Sequence, residues 1–247
     1  MGRNEDTGDL EMKGLYIGNT IDCYNLACDL SLRVNFTLLP KAPAKIVTYL
    51  DPDEFHSTWL GNKAIYRTRM AIADKGTLIV LAPGVRRFGE DDQVDVLIRK
   101  YGYKGTPATM QSMKENEELQ NNLSAVAHLI HGTSEGRFEV VYCPGHLTKQ
   151  EIEGVGYQYG DLEEMSKKYD VNTLADGWNK EADGTEFFFI SNPALGLWAV
   201  ADRFEDNSND DNDGVSMAAT EPTKFSTKDQ EAVDGSGGVG GWAKPPT

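Results

Sequence analysis

Four short apolar runs constrain the fold of this chain more than any other feature. They are Lys45–Leu50 (KIVTYL), Thr77–Leu81 (TLIVL), Phe138–Tyr142 (FEVVY) and Glu186–Ile190 (EFFFI). Each is too short for a lone helix and rich in β-branched and aromatic residues, the composition of a buried strand. Helical patterns lie between them. Asn62–Ala73 sets Ile65, Met70 and Ile72 near one face, and Gln93–Lys100 follows an acidic helix start at Glu90-Asp91-Asp92. Thr106–Ile130 holds one or two helices that end near Gly132. Thr148-Lys149-Gln150-Glu151 matches a capping box for a helix to about Val155, and Asp161–Tyr169 is a shorter candidate. Strands alternating with helices imply β-α-β crossovers, hence an α/β fold with a mainly parallel sheet flanked by helices. Ile17–Val34 reads as a helix on an edge of that sheet.

The pattern stops after Arg203. Residues 204–247 hold nine Asp and Glu against three Lys, net −6 of the chain's −15, and end in GSGGVGGWAKPPT. Such a composition buries too little apolar area to offset its ordering entropy, so this acidic, Gly-rich tail is expected to be disordered. So is the polar segment 1–13, which leaves 14–203 as the folded α/β domain. An acidic chain without a basic patch argues against nucleic acid and anionic membranes as partners. No apolar run approaches a membrane span. Cys23, Cys28 and Cys143 form neither a CxxC pair nor a metal spacing, and read as small buried hydrophobes. Their odd number and the polar start MGRNEDTGDLEM lead to a cytoplasmic expectation.

In a parallel sheet, ligands sit beyond the carboxyl ends of the strands. The loops after strands carry Asp51, Asp53 and His56, then Arg86 and Arg87, then His146, then Ser191 and Asn192. One topological assumption therefore gathers them on a common rim. Tyr66 and Arg67 belong to the helical stretch after the first loop and are expected to face the same way. Guanidiniums and a Tyr hydroxyl suit a carboxylate substrate, with His56 and His146 as acid/base candidates. His128 and His131 form an i, i+3 pair without a third ligand nearby, and read as helix-terminal histidines favoured by the macrodipole. No Walker lysine and no G-x-G-x-x-G occur, and Asn209–Thr220 fails as a calcium loop at both ends.

Three segments carry a family resemblance. Asn62-Lys63-Ala64-Ile65-Tyr66-Arg67, followed by the Gly-turn strand at Gly76–Leu81, resembles the C-terminal half of nickel-dependent lactate racemases. AHLIHGTSEGRF (127–138) and ISNPALGLW (190–198) resemble homologues labelled sugar-acid, D-mannonate-type epimerases. The resemblance covers roughly residues 14–200. It implies a Rossmann-like C-terminal domain of a two-domain fold and racemisation or epimerisation at C2 of a 2-hydroxy acid. It also implies a nickel pincer nucleotide as cofactor, and substrate contacts from Tyr66, Arg67 and Lys63, with Arg86 and Arg87 as secondary anion contacts.

Two departures qualify what is carried over. Arg67 and Met70 stand where lactate racemases have Gln and Lys, so the substrate contacts differ; the added guanidinium fits a larger, polyhydroxylated acid. The family's cofactor-tethering lysine, metal-ligating histidine and catalytic histidines belong to its N-terminal half, which precedes the region matched. The catalytic residues are accordingly expected on a separate N-terminal domain, with this chain inactive alone. The alternative is a non-catalytic α/β module that binds a sugar acid or pairs with a catalytic subunit.

Overall fold

A computed structural model describes residues 2–3, 7, 9–200 and 203. The predicted tail 204–247 lies outside the described residues. Within the segment expected to be disordered, β1 (Gly2–Arg3) and β2 (Leu10–Glu11) pair antiparallel. Helix α1 (Ile21–Asn35) runs into β3 (Phe36–Leu39), which pairs in parallel with β10 (Leu197–Val200) in a separate two-stranded sheet. The expected helix is therefore present, but it leads into this second sheet and leaves Ile21, Tyr24 and Leu26 exposed.

The main sheet has six strands: β4 (Lys45–Tyr49), β5 (Thr77–Ala82), β6 (Glu139–Pro144), β7 (Gln158–Tyr159), β8 (Gly177–Lys180) and β9 (Glu186–Ile190). Their spatial order is β7-β6-β5-β4-β9-β8. All pair in parallel except β8, which lies antiparallel on β9. The mainly parallel α/β fold follows from the apolar runs as expected. Alternation within each run fills two cores. Ile46, Leu78, Val80, Val140, Tyr142, Phe188 and Ile190 face one side, and Val47, Ile79, Leu81, Cys143, Phe187 and Phe189 the other. Strands buried on both faces read as near-continuous apolar runs. The edge strands β7 and β8 (QY and GWNK) carry no such signal. β8 takes its register from β9, where Trp178 packs edge-on against Phe188 at 5.6 Å.

The helices follow local chemistry. α4 (Asp92–Tyr101) is N-capped by Asp91, whose carboxylate accepts from Val94 N at 2.8 Å. α8 (Lys149–Gly154) carries the predicted capping box between Thr148 and Glu151. α9 (Leu162–Lys168) starts at the Asp161 cap. The stretch 106–130 forms three helices, not one or two: α5 (Thr106–Glu115), α6 (Glu117–Gln120) and α7 (Leu123–His131). Asn116 is extended and breaks the first run, and Asn122 caps the last by accepting from Ala125 N. Of the helix expected over 62–73 only α3 (Lys63–Tyr66) forms, preceded by a separate short helix, α2 (Thr58–Gly61). Thr68 Oγ1 donates to Ala64 O at 2.6 Å, a side-chain bond that competes with helix continuation. The backbone of 67–70 then turns to β10, with Trp198 N donating to Arg67 O and Val200 N to Met70 O.

Candidate functional site

The chain order of the strands reverses around β4: β5, β6 and β7 build outward on one side, and β9 returns to the other. Crevices at such a reversal, beyond the carboxyl ends, are where open α/β sheets hold ligands. Here the loop after β4 meets the loop after β9, and Asn192 Nδ2 donates to Glu54 Oε2 at 2.9 Å. The loops after β4 and β5 also run together. Arg86 N donates to His56 O at 3.0 Å, Thr58 N to Arg87 O at 3.1 Å and Trp59 N to Phe88 O at 2.9 Å. Gly145 N, after β6, donates to Ala82 O. The turns leaving β4, β5 and β6 thus form one backbone-linked rim, to which the turn after β9 is tied through the Asn192 and Glu54 side chains.

The predicted side chains on that rim differ in what already occupies them. Arg87 Nη2 donates to Asp92 at 2.8 Å, so this guanidinium is partly committed to the start of α4. Arg86 is exposed with no ion pair among the described residues, and His146 is exposed on the loop after β6. His56 is half-buried and joined to Arg86 only through backbone. No side-chain contact links His56 with His146. Lys63 lies over the Phe55 ring at 5.7 Å, which brings it to the loop after β4.

Tyr66 and Arg67 form a second focus beside the 3₁₀ turn Pro193–Leu195. Arg67 Nη1 donates to Gly196 O at 3.3 Å, and its Cζ stands 5.7 Å from the Tyr66 ring centre. The other side group at Tyr66 is His131, with ring centroids 5.6 Å apart. In the sequence the histidine pair suggests only metal ligands or helix-end charges, and nothing local connects His131 with Tyr66. A helical offset of three does place them differently. His128 is buried, stacked on Trp59 at 4.6 Å and hydrogen-bonded through Nε2 to the Tyr103 hydroxyl at 2.9 Å. Burial, and then the neighbouring His131, push its pKa down to about 4. The macrodipole account thus fails for His128, where desolvation outweighs a helix-end field. The α7 terminus is instead held by Arg69, whose Nη2 donates to the carbonyls of Ile130, His131 and Thr133 at 3.3, 2.7 and 3.1 Å.

Two concavities lie elsewhere. One of about 200 Å³ opens by the amino ends of β6 and β7 between Tyr103, Phe138, Glu139 and Gln158, and one of about 340 Å³ lies beside the β8–β9 hairpin around Lys168, Lys180 and Glu181. None of the predicted residues lines either. The first has a carboxylate and no cation among its lining residues, which suits an anion poorly, and in the second Lys45, Lys168 and Tyr169 already bind Glu181. Those partners hold the Glu181 carboxyl down at about 2 against its own burial. Cys143 is buried, and its thiol is pushed up to about 12; Cys23 and Cys28 on α1 are half-buried. No group of three or more His, Cys, Asp or Glu able to hold a metal exists among the described residues. No helix among them is long and apolar enough to cross a membrane.

No protein-family description and no curated protein matches this sequence. Several solved chains resemble it. A Thermotoga maritima protein from the Northeast Structural Genomics Consortium aligns with a TM-score of 0.56 at 19% identity, over 73% of this chain and 42% of that one. The lactate racemase apoprotein from Thermoanaerobacterium thermosaccharolyticum aligns with a TM-score of 0.48 at 10% identity, over 71% and 40%. This chain therefore spans less than half the length of either. What it shares with the Thermotoga maritima protein is the α/β fold built on a mainly parallel sheet.

Proposed function

We propose that this chain is the substrate-holding α/β part of a racemase or epimerase acting at C2 of a 2-hydroxy acid or sugar acid. One observation carries the reading. The three segments that bear the sequence resemblance are far apart in the chain yet meet at Tyr66 and Arg67. Segment 62–67 supplies the pair, segment 190–198 receives the Arg67 guanidinium at Gly196, and segment 127–138 places His131 against the Tyr66 ring. Arg67 has no ion pair among the described residues, so its charge is available to a carboxylate. Lys63 opens the same helix, α3, and lies over Phe55 of the loop after β4, and Arg86 is the rim guanidinium that has no ion pair among the described residues. A Tyr hydroxyl donating beside a guanidinium orients an α-hydroxy carboxylate and fixes which face of C2 is presented.

By the resemblance, the lysine that tethers a nickel pincer nucleotide and the histidine that ligates its metal belong to the family's N-terminal half, outside the region matched by this chain. No step through that cofactor is assigned to this chain. Incubation with nickel cofactor and D-mannonate, followed by chromatography of the products, is expected to show no turnover. Turnover by this chain alone would overturn the division of labour. A non-catalytic pairing module is the second reading. It is favoured by the exposure of Met12, Leu15, Ile17, Ile21 and Tyr24, apolar surface of the kind that partners cover.

A further inference from the structure

Resting on that reading, we infer that His131 is a third substrate contact, donating a ring N–H to the carboxylate held by Tyr66 and Arg67. The Tyr66 ring has Arg67 at 5.7 Å and His131 at 5.6 Å. The imidazole tilts by 47° to the phenol ring, so the two do not stack flat, and neither the ring nitrogens nor the Tyr66 hydroxyl has a hydrogen-bond partner among the described residues. Donors of three kinds therefore meet at this one phenol ring, two of them without an internal acceptor and Arg67 with only the Gly196 carbonyl at 3.3 Å. The phenol, the guanidinium and the imidazole, whether neutral or protonated, each offer at least one O–H or N–H, which matches the acceptor-only chemistry of an ionised carboxylate.

The supporting structure holds this arrangement in place. Arg69 binds the His131 carbonyl at 2.7 Å and two neighbouring carbonyls, so the last turn of α7 cannot drift from the segment that carries Tyr66. The C-cap Gly132 sits so close to Asn62 that an added Cβ would lie 2.4 Å from Asn62 Nδ2 and from the Tyr103 ring. One turn earlier, His128 anchors the same helix in the core through Trp59 and Tyr103. An exposed side chain on a helix end that is fixed at three points by other groups is held in place for a ligand without being what holds the helix.

The test is calorimetric titration of the full chain with D-mannonate, comparing His131→Ala, His131→Gln, Tyr66→Phe and Arg67→Gln. His131→Ala is expected to weaken binding about tenfold or more, the loss of one hydrogen bond to a charged acceptor. His131→Gln, which keeps a donating N–H, is expected to recover part of that loss. Thermal unfolding should be unchanged in both, because the side chain is exposed. Wild-type affinity in His131→Ala, with binding lost in Arg67→Gln, would sink the His131 assignment and leave the functional reading intact. Absence of binding by the wild type, or full affinity in both Arg67→Gln and Tyr66→Phe, would overturn the reading and this inference with it.

Discussion

Asn192 Nδ2 donates to Glu54 Oε2 at 2.9 Å, joining the loops after β9 and β4 at the place where the strand order reverses. The same Asn192 side chain accepts from Ala194 N at 2.9 Å through Oδ1, so one amide caps the 3₁₀ turn and tethers the neighbouring loop. Substituting the two functions separately is informative. Asn192→Ala loses both and is expected to cost about 1 kcal/mol, mostly from the cap, since an exposed side-chain bond adds little. Asn192→Asp keeps the capping oxygen but faces Glu54 with a like charge. We expect it to retain most of the stability in urea denaturation while weakening binding of a hydroxy acid; unchanged binding would show that the tether does not shape the crevice.

Arg69 makes a stronger structural claim. Its Nη2 serves three carbonyls at the end of α7, and its pKa is lowered, first by burial and then, against the pull of Glu135, by Arg137. Removing it leaves those acceptors without their donor, and Arg69→Ala is expected to lower unfolding free energy by about 2–3 kcal/mol. Arg69→Lys keeps the charge but not the reach of a planar fork, and should fall between. Equal stability of Arg69→Ala and wild type in chemical denaturation would show that water replaces the guanidinium at no cost.

The sequence was legible where one physical cause dominated. Val, Ile and Phe runs buried on both faces announced four of the six sheet strands, and the Thr148–Glu151 box, the acidic start at Glu90-Asp91-Asp92 and the stretch Asp161–Tyr169 announced three helices. It was opaque where tertiary contacts override local preference. The 62–73 stretch has helical spacing, but β10 captures the backbone of 67–70, so hydrogen bonds that would continue the helix go to Trp198 and Val200 instead. The rim was readable from topology alone, because a parallel sheet puts every βα turn at one end. The state of each rim cation was not: that Arg87 is drawn to Asp92 while Arg86 stays unpaired depends on where α4 begins in space. His131 was hidden for the same reason, as nothing local points from residue 131 to residue 66.

Burial of neutral His128 makes stability depend on pH. Its pKa lies at about 4 in the folded chain, below the ordinary value of 6.5. Between those values the unfolded chain binds a proton that the folded chain does not, so stability is complete above about 6.5 and declines as pH falls toward 4. Across that window the loss from this group approaches about 3 kcal/mol. His128→Gln, which can still bond the Tyr103 hydroxyl, should be less stable at neutral pH but should flatten the slope between pH 6.5 and 4. An undiminished slope in unfolding titrations would place the acid sensitivity elsewhere.

The rim also depends on one close backbone approach. A Cβ at Gly145 would lie 1.9 Å from Pro83 O, an atom of the loop after β5. Because that atom is backbone, relief requires the loops after β5 and β6 to separate, and Gly145 N would then lose its bond to Ala82 O at 3.0 Å. Gly145→Ala is therefore expected to cost about 2 kcal/mol or more through forced displacement. Gly154, at the end of α8, has open space where its Cβ would go. Gly154→Ala should accordingly be neutral or stabilising by up to about 1 kcal/mol, as alanine is the better helix former. Because Arg86 and His146 flank the Gly145 contact, Gly145→Ala should also weaken hydroxy-acid binding if that end of the rim takes part. A stability loss with unaltered affinity would confine the site to Tyr66, Arg67 and their neighbours.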